Sequence, residues 1–193
     1  VPYASKKEIV GGLEKIVGEI PNADITKSIN SKAVNITIKL GEISLQVEAG
    51  VSMKCKAIAM STSALARQSN QLGKIIKIMS LDVALSHKLA AWNERRLLRD
   101  LYDVYYIHEI IGERPEMETL RFRLINIESR IPALKKIKSM SMEVFAKTLR
   151  GEVEKINAKV LERELRFFLD KNELAGLDIK MKVALNKLAS ELG

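Results

Sequence analysis

"AVNITIKLGEISLQVEAG", residues 33–50, decides the fold. Val34, Ile36, Ile38 and Leu40 alternate with Asn35, Thr37 and Lys39. After Gly41-Glu42, Ile43, Leu45 and Val47 alternate with Ser44, Gln46 and Glu48. Successive side chains of a strand point to opposite faces, so a period of two marks strands with one buried face. Two such runs separated by a Gly-X pair predict an antiparallel hairpin with a two-residue turn.

Upstream, "SKKEIVGGLEKIVGEIP" (residues 5–21) predicts a helix. Ser5 and Glu8 have the spacing of a capping box, and Pro21 ends the run. Ile9, Leu13, Ile16, Val17 and Ile20 form its expected buried face, and Gly11-Gly12 predicts close packing against a flat surface such as a sheet. Downstream, "KAIAMS" (56–61) and "KIIKIM" (74–79) are expected strands, joined by the polar "STSALARQSNQLG" (61–73). Beyond them every segment has helical spacing. Ser80 is placed to cap a helix with Asp82 in its first turn and Leu85, Leu89 and Trp92 on its apolar face. "METLRFRLINIESRI" (117–131), "SMEVFAKTLRGEVEKINAKVLERELRFFLD" (141–170) and "DIKMKVALNKLASEL" (178–192) continue the helical pattern. In the second of these, Phe145, Leu161, Leu165, Phe167 and Phe168 read as core. The expectation is therefore an α+β chain: a small mixed or antiparallel sheet with flanking helices, then an all-helical carboxyl half. Structure changes near residue 80, and "GERPE" (112–116) suggests a functional division into 1–112 and 113–193.

Length and composition bound the class. A chain of 193 residues with 47% hydrophobic content supports one sizeable core or two small ones. The single cysteine, Cys55, excludes an internal disulfide and a cysteine zinc site; it reads as a half-buried strand residue. No apolar run approaches the about 20 residues that span a bilayer, and a soluble cytoplasmic protein with no membrane partner is expected. The chain opens on Val1 rather than methionine, so an upstream segment is expected to have been removed or left out. The 32 Lys+Arg against 24 Asp+Glu give a net charge of +8, which favours polyanions such as RNA or nucleotide phosphates. "KKIK" (135–138) and Lys147, Arg150, Lys155 and Lys159 are candidates for an RNA-facing surface, though a solvated helix face is the preferred reading of them.

The chemistry concentrates in "ERRLLRDLYDVYYIHEII", residues 94–111. On one helix running from Ser80, Lys88 and Arg95 lie two turns apart on one stripe, which Arg99 and Asp103 extend by fours. Asp100 sits beside that stripe, flanked by Tyr102, Tyr105 and Tyr106. An ordinary solvated face with an Arg99–Asp103 pair would look the same, and such a pair is worth only about 0.3–0.5 kcal/mol.

The longer string "LDVALSHKLAAWNERRLLRDLYDVYYI", residues 81–107, resembles a motif pair of the AbiEii/AbiGii-type nucleotidyltransferase toxins of abortive infection. That family carries D-x-x-x-x-x-K-x-x-A-x-x-x-R on a helix, followed by R-D-x-x-D. Asp82, Lys88, Ala91 and Arg95 match the first element, and Arg99, Asp100 and Asp103 the second. The resemblance covers about residues 75–110. It implies a polymerase-β-like nucleotidyltransferase core, Mg²⁺ as cofactor, and an NTP as donor. It also implies an acceptor that in some relatives is tRNA, and a cognate antitoxin protein in a toxin–antitoxin or phage-defence system. Lys88 and Asp100 then take the positions of the family's catalytic lysine and aspartate. Lys88, Arg95 and Arg99 would bind the triphosphate, with Asp82 and Asp103 in support. A lysine ammonium neutralises charge shifting to the leaving pyrophosphate.

The family's G-S…D-x-D element does not occur in this sequence. The aspartates are Asp24, Asp82, Asp100, Asp103, Asp170 and Asp178, and none lies two apart. In relatives the D-x-D strand leads into a helix like that at residues 5–21, so the element is expected immediately before Val1. Glu48, at the end of the hairpin's second strand, is the candidate for a third metal-binding carboxylate. The 193 residues alone are expected to be inactive, and a catalytically degenerate relative that binds RNA or protein is the alternative. His87 and His108 have no metal-ligand spacing.

Overall fold

The computed structural model describes residues 5–30, 33–50, 56–129 and 131–193. Cys55 and Val1 lie outside them. The chain is α+β and packs as two compact units, residues 1–55 and 56–193. The helices on both sides of residue 112 share one core.

The first unit holds α1 (Lys6–Gly18), β1 (Ala23–Ile29), β2 (Val34–Leu40) and β3 (Ile43–Ala49). Ser5 and Glu8 form the expected capping box through both reciprocal bonds. The hairpin of residues 33–50 is present: β2 and β3 pair antiparallel with Ile38 opposite Leu45 and Leu40 opposite Ile43. Gly41 supplies the positive φ of 58° that the two-residue turn requires. β1 adds an antiparallel strand on the far side of β2. Val10 of α1 buries against Val34 and Ile36, with Leu13 beside them. The expected apolar face of α1 needs correction, since Ile16 and Ile20 are exposed and Val10 replaces them. Gly11 is not a packing glycine either, because a Cβ there would meet open space.

The second unit begins with β4 (Ala57–Ser61), α2 (Ser63–Gln68) and β5 (Ile75–Met79). The two strands pair antiparallel in a separate sheet, with Ile58 opposite Ile78 and Met60 opposite Ile76. The polar connection between them contains α2. Thr62 closes it on Lys74, its Oγ1 accepting from the Lys74 N–H at 2.9 Å. A Cβ at Gly73 would crowd Ser63 Oγ and come within 3.0 Å of the Ser63 Cα, so a larger residue there requires Ser63 to shift.

Helices fill the remainder: α3 (Leu81–Arg95), α4 (Leu98–Tyr105), α5 (Met117–Leu124), α6 (Met142–Val153), α7 (Ala158–Leu165), α8 (Lys171–Leu174) and α9 (Leu177–Leu192). Their common core contains Leu85, Leu89, Trp92, Leu101, Phe145, Leu149, Leu161 and Leu185. Trp92 meets Phe145 edge-on with centroids 6.0 Å apart, and each large apolar side chain buried here contributes about 1.5–3 kcal/mol. Residues 141–170 are not one helix. The run breaks after Val153 and restarts at Asn157, whose side chain accepts from the Val160 N–H. α7 ends at Leu165, which puts Phe167 and Phe168 outside the core, 78% and 67% exposed. Arg166 covers the Phe167 ring at 4.7 Å. No helix among the described residues is long and apolar enough to cross a membrane.

Candidate functional site

The helix expected to run unbroken from Ser80 turns sharply at Arg96. That residue adopts the left-handed conformation, φ 53° and ψ 34°, and ends α3. The conformation costs an L-residue about 1–2 kcal/mol. Its guanidinium offsets part of this by stacking on Trp92 at 4.5 Å and donating to Asn93 Oδ1 at 3.2 Å. α4 then packs back against α3, so side chains far apart along the sequence converge.

Lys88 Nζ donates to Asp103 Oδ2 at 2.5 Å and lies 3.9 Å from Asp100 Oδ1. Arg95 spans the turn with a two-pronged grip on Asp100: Nε to Oδ2 at 2.8 Å and Nη2 to Oδ1 at 2.7 Å. The Asp100 side chain is 1% exposed, whereas Lys88 and Arg95 are 40% and 47% exposed. Asp100 thus sits behind its two cations as a positioning group. As an acidic residue in the first turn of α4 it also meets the favourable end of the helix dipole. The i,i+4 Arg99–Asp103 pair does not form, because the turn delivers Lys88 to Asp103 first. Arg99 is exposed and has no ion pair among the described residues.

In front of Lys88 opens a cleft of about 420 Å³ lined by Lys88, Tyr102, Asp103, Tyr106 and Ile107. Tyr102 and Tyr106, one turn apart, stand with ring centroids 6.3 Å apart. Burial, and then the charge of Glu173, pushes the Tyr102 hydroxyl above its ordinary value, so at neutral pH it is a donor. α4 runs on into a π-helical turn, Tyr106–Ile110, closed by the Ile111 N–H donating to the Tyr106 carbonyl at 3.0 Å. This wider turn presents Tyr106 and Ile107 to the cleft, a type of distortion frequent at functional sites. The tyrosine spacing was readable from sequence. The π-turn and Ile107 were not, since no residue type marks such a turn.

Asp82 stands apart from this cluster. Lys56 Nζ donates to it at 2.5 Å, and that bond, with the Val83 N–H, holds its carboxyl down at about 2. Ser80 begins α3 without a side-chain capping bond. His87 accepts from Arg123 Nη1 at 3.0 Å, while Arg123 Nη2 pairs with Glu94 at 2.9 Å. Burial, then the Arg123 charge, holds the His87 imidazole below its ordinary value. His108 is buried, with Nδ1 2.9 Å from the Glu113 carbonyl. Both histidines tie elements together.

A Mg²⁺ ion demands near-octahedral oxygen ligands, and both carboxylates of the cluster are engaged by cations. Asp103 carries the Lys88 ammonium and Asp100 the Arg95 fork. Glu48 is an exposed residue of β3 in the other unit, opposite Asn35. Among the described residues no three His, Cys, Asp or Glu side chains cluster. Lys88 and Asp103 are the charged residues of the cleft's lining, with Tyr102 and Tyr106 as an aromatic wall. Comparison with protein-family models, curated proteins and solved structures found no match for this chain.

Proposed function

We propose that the chain is a nucleotidyltransferase of the AbiEii/AbiGii toxin type, part of a cytoplasmic toxin–antitoxin or phage-defence system. Its Lys88 cleft receives an NTP whose nucleotide is destined for an acceptor such as tRNA. The observation that carries this reading is the convergence of the motif residues Lys88, Arg95, Asp100 and Asp103 in one ion-pair cluster, from which Lys88 and Asp103 line a cleft walled by Tyr102 and Tyr106. Lys88 meets the phosphates, with Arg99 a further cation on the same helix pair. Asp103 holds the ammonium until an anion arrives, and the Arg95–Asp100 fork fixes the turn that sets the distance between them. The bases that nucleotides carry have flat faces suited to aromatic stacking.

A second reading is favoured by one feature. Both oxygens of Asp100 are engaged by Arg95, which suits a catalytically degenerate relative that binds RNA or protein. Incubation of the chain with labelled NTPs, Mg²⁺ and total tRNA separates the readings when NTP binding is followed in parallel. The expected result is NTP binding that depends on Lys88, without transfer, because the 193 residues contain no D-x-D pair. Labelled tRNA would show that the paired aspartates are dispensable. Binding of RNA without any NTP binding would support the degenerate relative.

A further inference from the structure

A second surface of the helical unit, independent of the nucleotide cleft, lies where α5 ends and α6 begins. The Ile127 N–H donates to the Lys138 carbonyl and the Met140 N–H to the Leu124 carbonyl, both at 2.9 Å, which lays residues 138–140 along the end of α5. Between them and α6 opens a groove of about 540 Å³ lined by Ile125, Ile137, Ser139, Met140, Ser141 and Val144. Ile125, Val144 and Ile137 are 62%, 51% and 37% exposed, and Phe122, one turn before Ile125, is 62% exposed. Apolar side chains gathered in one open groove mark an interaction site more often than the same residues scattered singly.

The charges around the groove specify its occupant. Arg121 lies one turn before Ile125, Lys147 one turn after Val144, and Lys136 and Lys138 flank Ile137. All four are exposed and none has an ion pair among the described residues. Over residues 117–153, which carry the groove, Lys and Arg outnumber Glu by eight to four, an excess of four positive charges (8 − 4). The lining is aliphatic and linear, unlike the stacked aromatic platforms that hold single-stranded nucleic acid. Grooves of this kind take the apolar face of an amphipathic helix, anchored at i, i+3, i+4 and i+7.

We propose that the α5–α6 groove docks an amphipathic helix of a partner protein whose apolar stripe is bordered by acidic side chains. The anchors enter between Ile125, Ile137 and Val144, and the acids meet Arg121, Lys136, Lys138 and Lys147. The test is selection of a randomised peptide display library on the full chain, with counter-selection on the folded Ile125→Ser/Val144→Ser variant. Circular dichroism confirms the fold, which these exposed positions do not support. Enriched peptides should carry helical apolar spacing and net negative charge. They should lose at least about tenfold in affinity on the serine variant, about 1.4 kcal/mol, and weaken on Lys136→Glu/Lys138→Glu. Enrichment of basic or neutral peptides, of peptides that bind both proteins equally, or of none would overturn the proposal. So would a single-stranded RNA oligonucleotide that binds through Lys136 and Lys138 with no dependence on Ile125 or Val144, since that would assign the surface to RNA.

Discussion

Lys88 and Asp103, fifteen residues apart in the chain, meet at 2.5 Å. In an unbroken helix they would stand about 22 Å apart, at about 1.5 Å per residue. The backbone reversal at Arg96, followed by the extended Leu97, is what brings the two side chains within reach, so the cleft is only as well defined as that turn.

Substitutions at Arg96 should therefore report on the turn. Arg96→Val places a β-branched residue at φ 53° and should cost about 2–3 kcal/mol in stability. Arg96→Gly relieves the backbone but loses the stacking on Trp92, and should stay within about 1 kcal/mol of the native protein. Urea denaturation of both variants checks the order; a valine variant as stable as the glycine one would mean that the turn is not strained.

The fork between Arg95 and Asp100 should behave as one unit. Arg95→Ala leaves a buried carboxylate with only Lys88 at 3.9 Å. It should cost about 2 kcal/mol, below the roughly 3–5 of a fully buried pair, because Arg95 is half exposed. Asp100→Asn should cost about 1 kcal/mol. The double variant should lose clearly less than the sum, and additive losses in a double-mutant cycle would deny the coupling.

Acid stability should expose Lys56–Asp82. The Asp82 carboxyl is held near 2 against an ordinary 3.8, first by the Lys56 hydrogen bond. A carboxyl depressed in the folded state contributes fully above its unfolded value and loses that contribution as pH falls through the folded one. The native protein should therefore lose stability between about pH 4 and pH 2 more steeply than Asp82→Asn, with the two curves converging near the lower end. Parallel curves in thermal denaturation across that window would remove Lys56 from the account.

Much of this architecture was legible in the sequence. The hairpin of residues 33–50 was plain because alternation and a Gly-X turn agree, and so was the capping box of Ser5 and Glu8. β1 was missed because Lys27 stands where its period-two pattern calls for an apolar residue; the ammonium reaches Glu14 of α1 instead. The break at Arg96 was invisible, since neither Gly nor Pro marks it and stacking on Trp92 supports it only once the chain is folded. Hence Lys88, Arg95, Asp100 and Asp103 were legible as neighbours, while their pairing, Lys88 with Asp103 and Arg95 with Asp100, was not, nor was the separation of Asp82 from them.

The central claim is that the Lys88 cleft binds a nucleoside triphosphate, and isothermal titration calorimetry of each NTP with Mg²⁺ tests it most directly. The native chain should bind, and Lys88→Ala, half exposed and with the Arg95–Asp100 fork untouched, should keep its fold and weaken binding at least about tenfold, about 1.4 kcal/mol. Affinity unchanged in Lys88→Ala, or no heat of binding from the native chain with any NTP, would contradict the account.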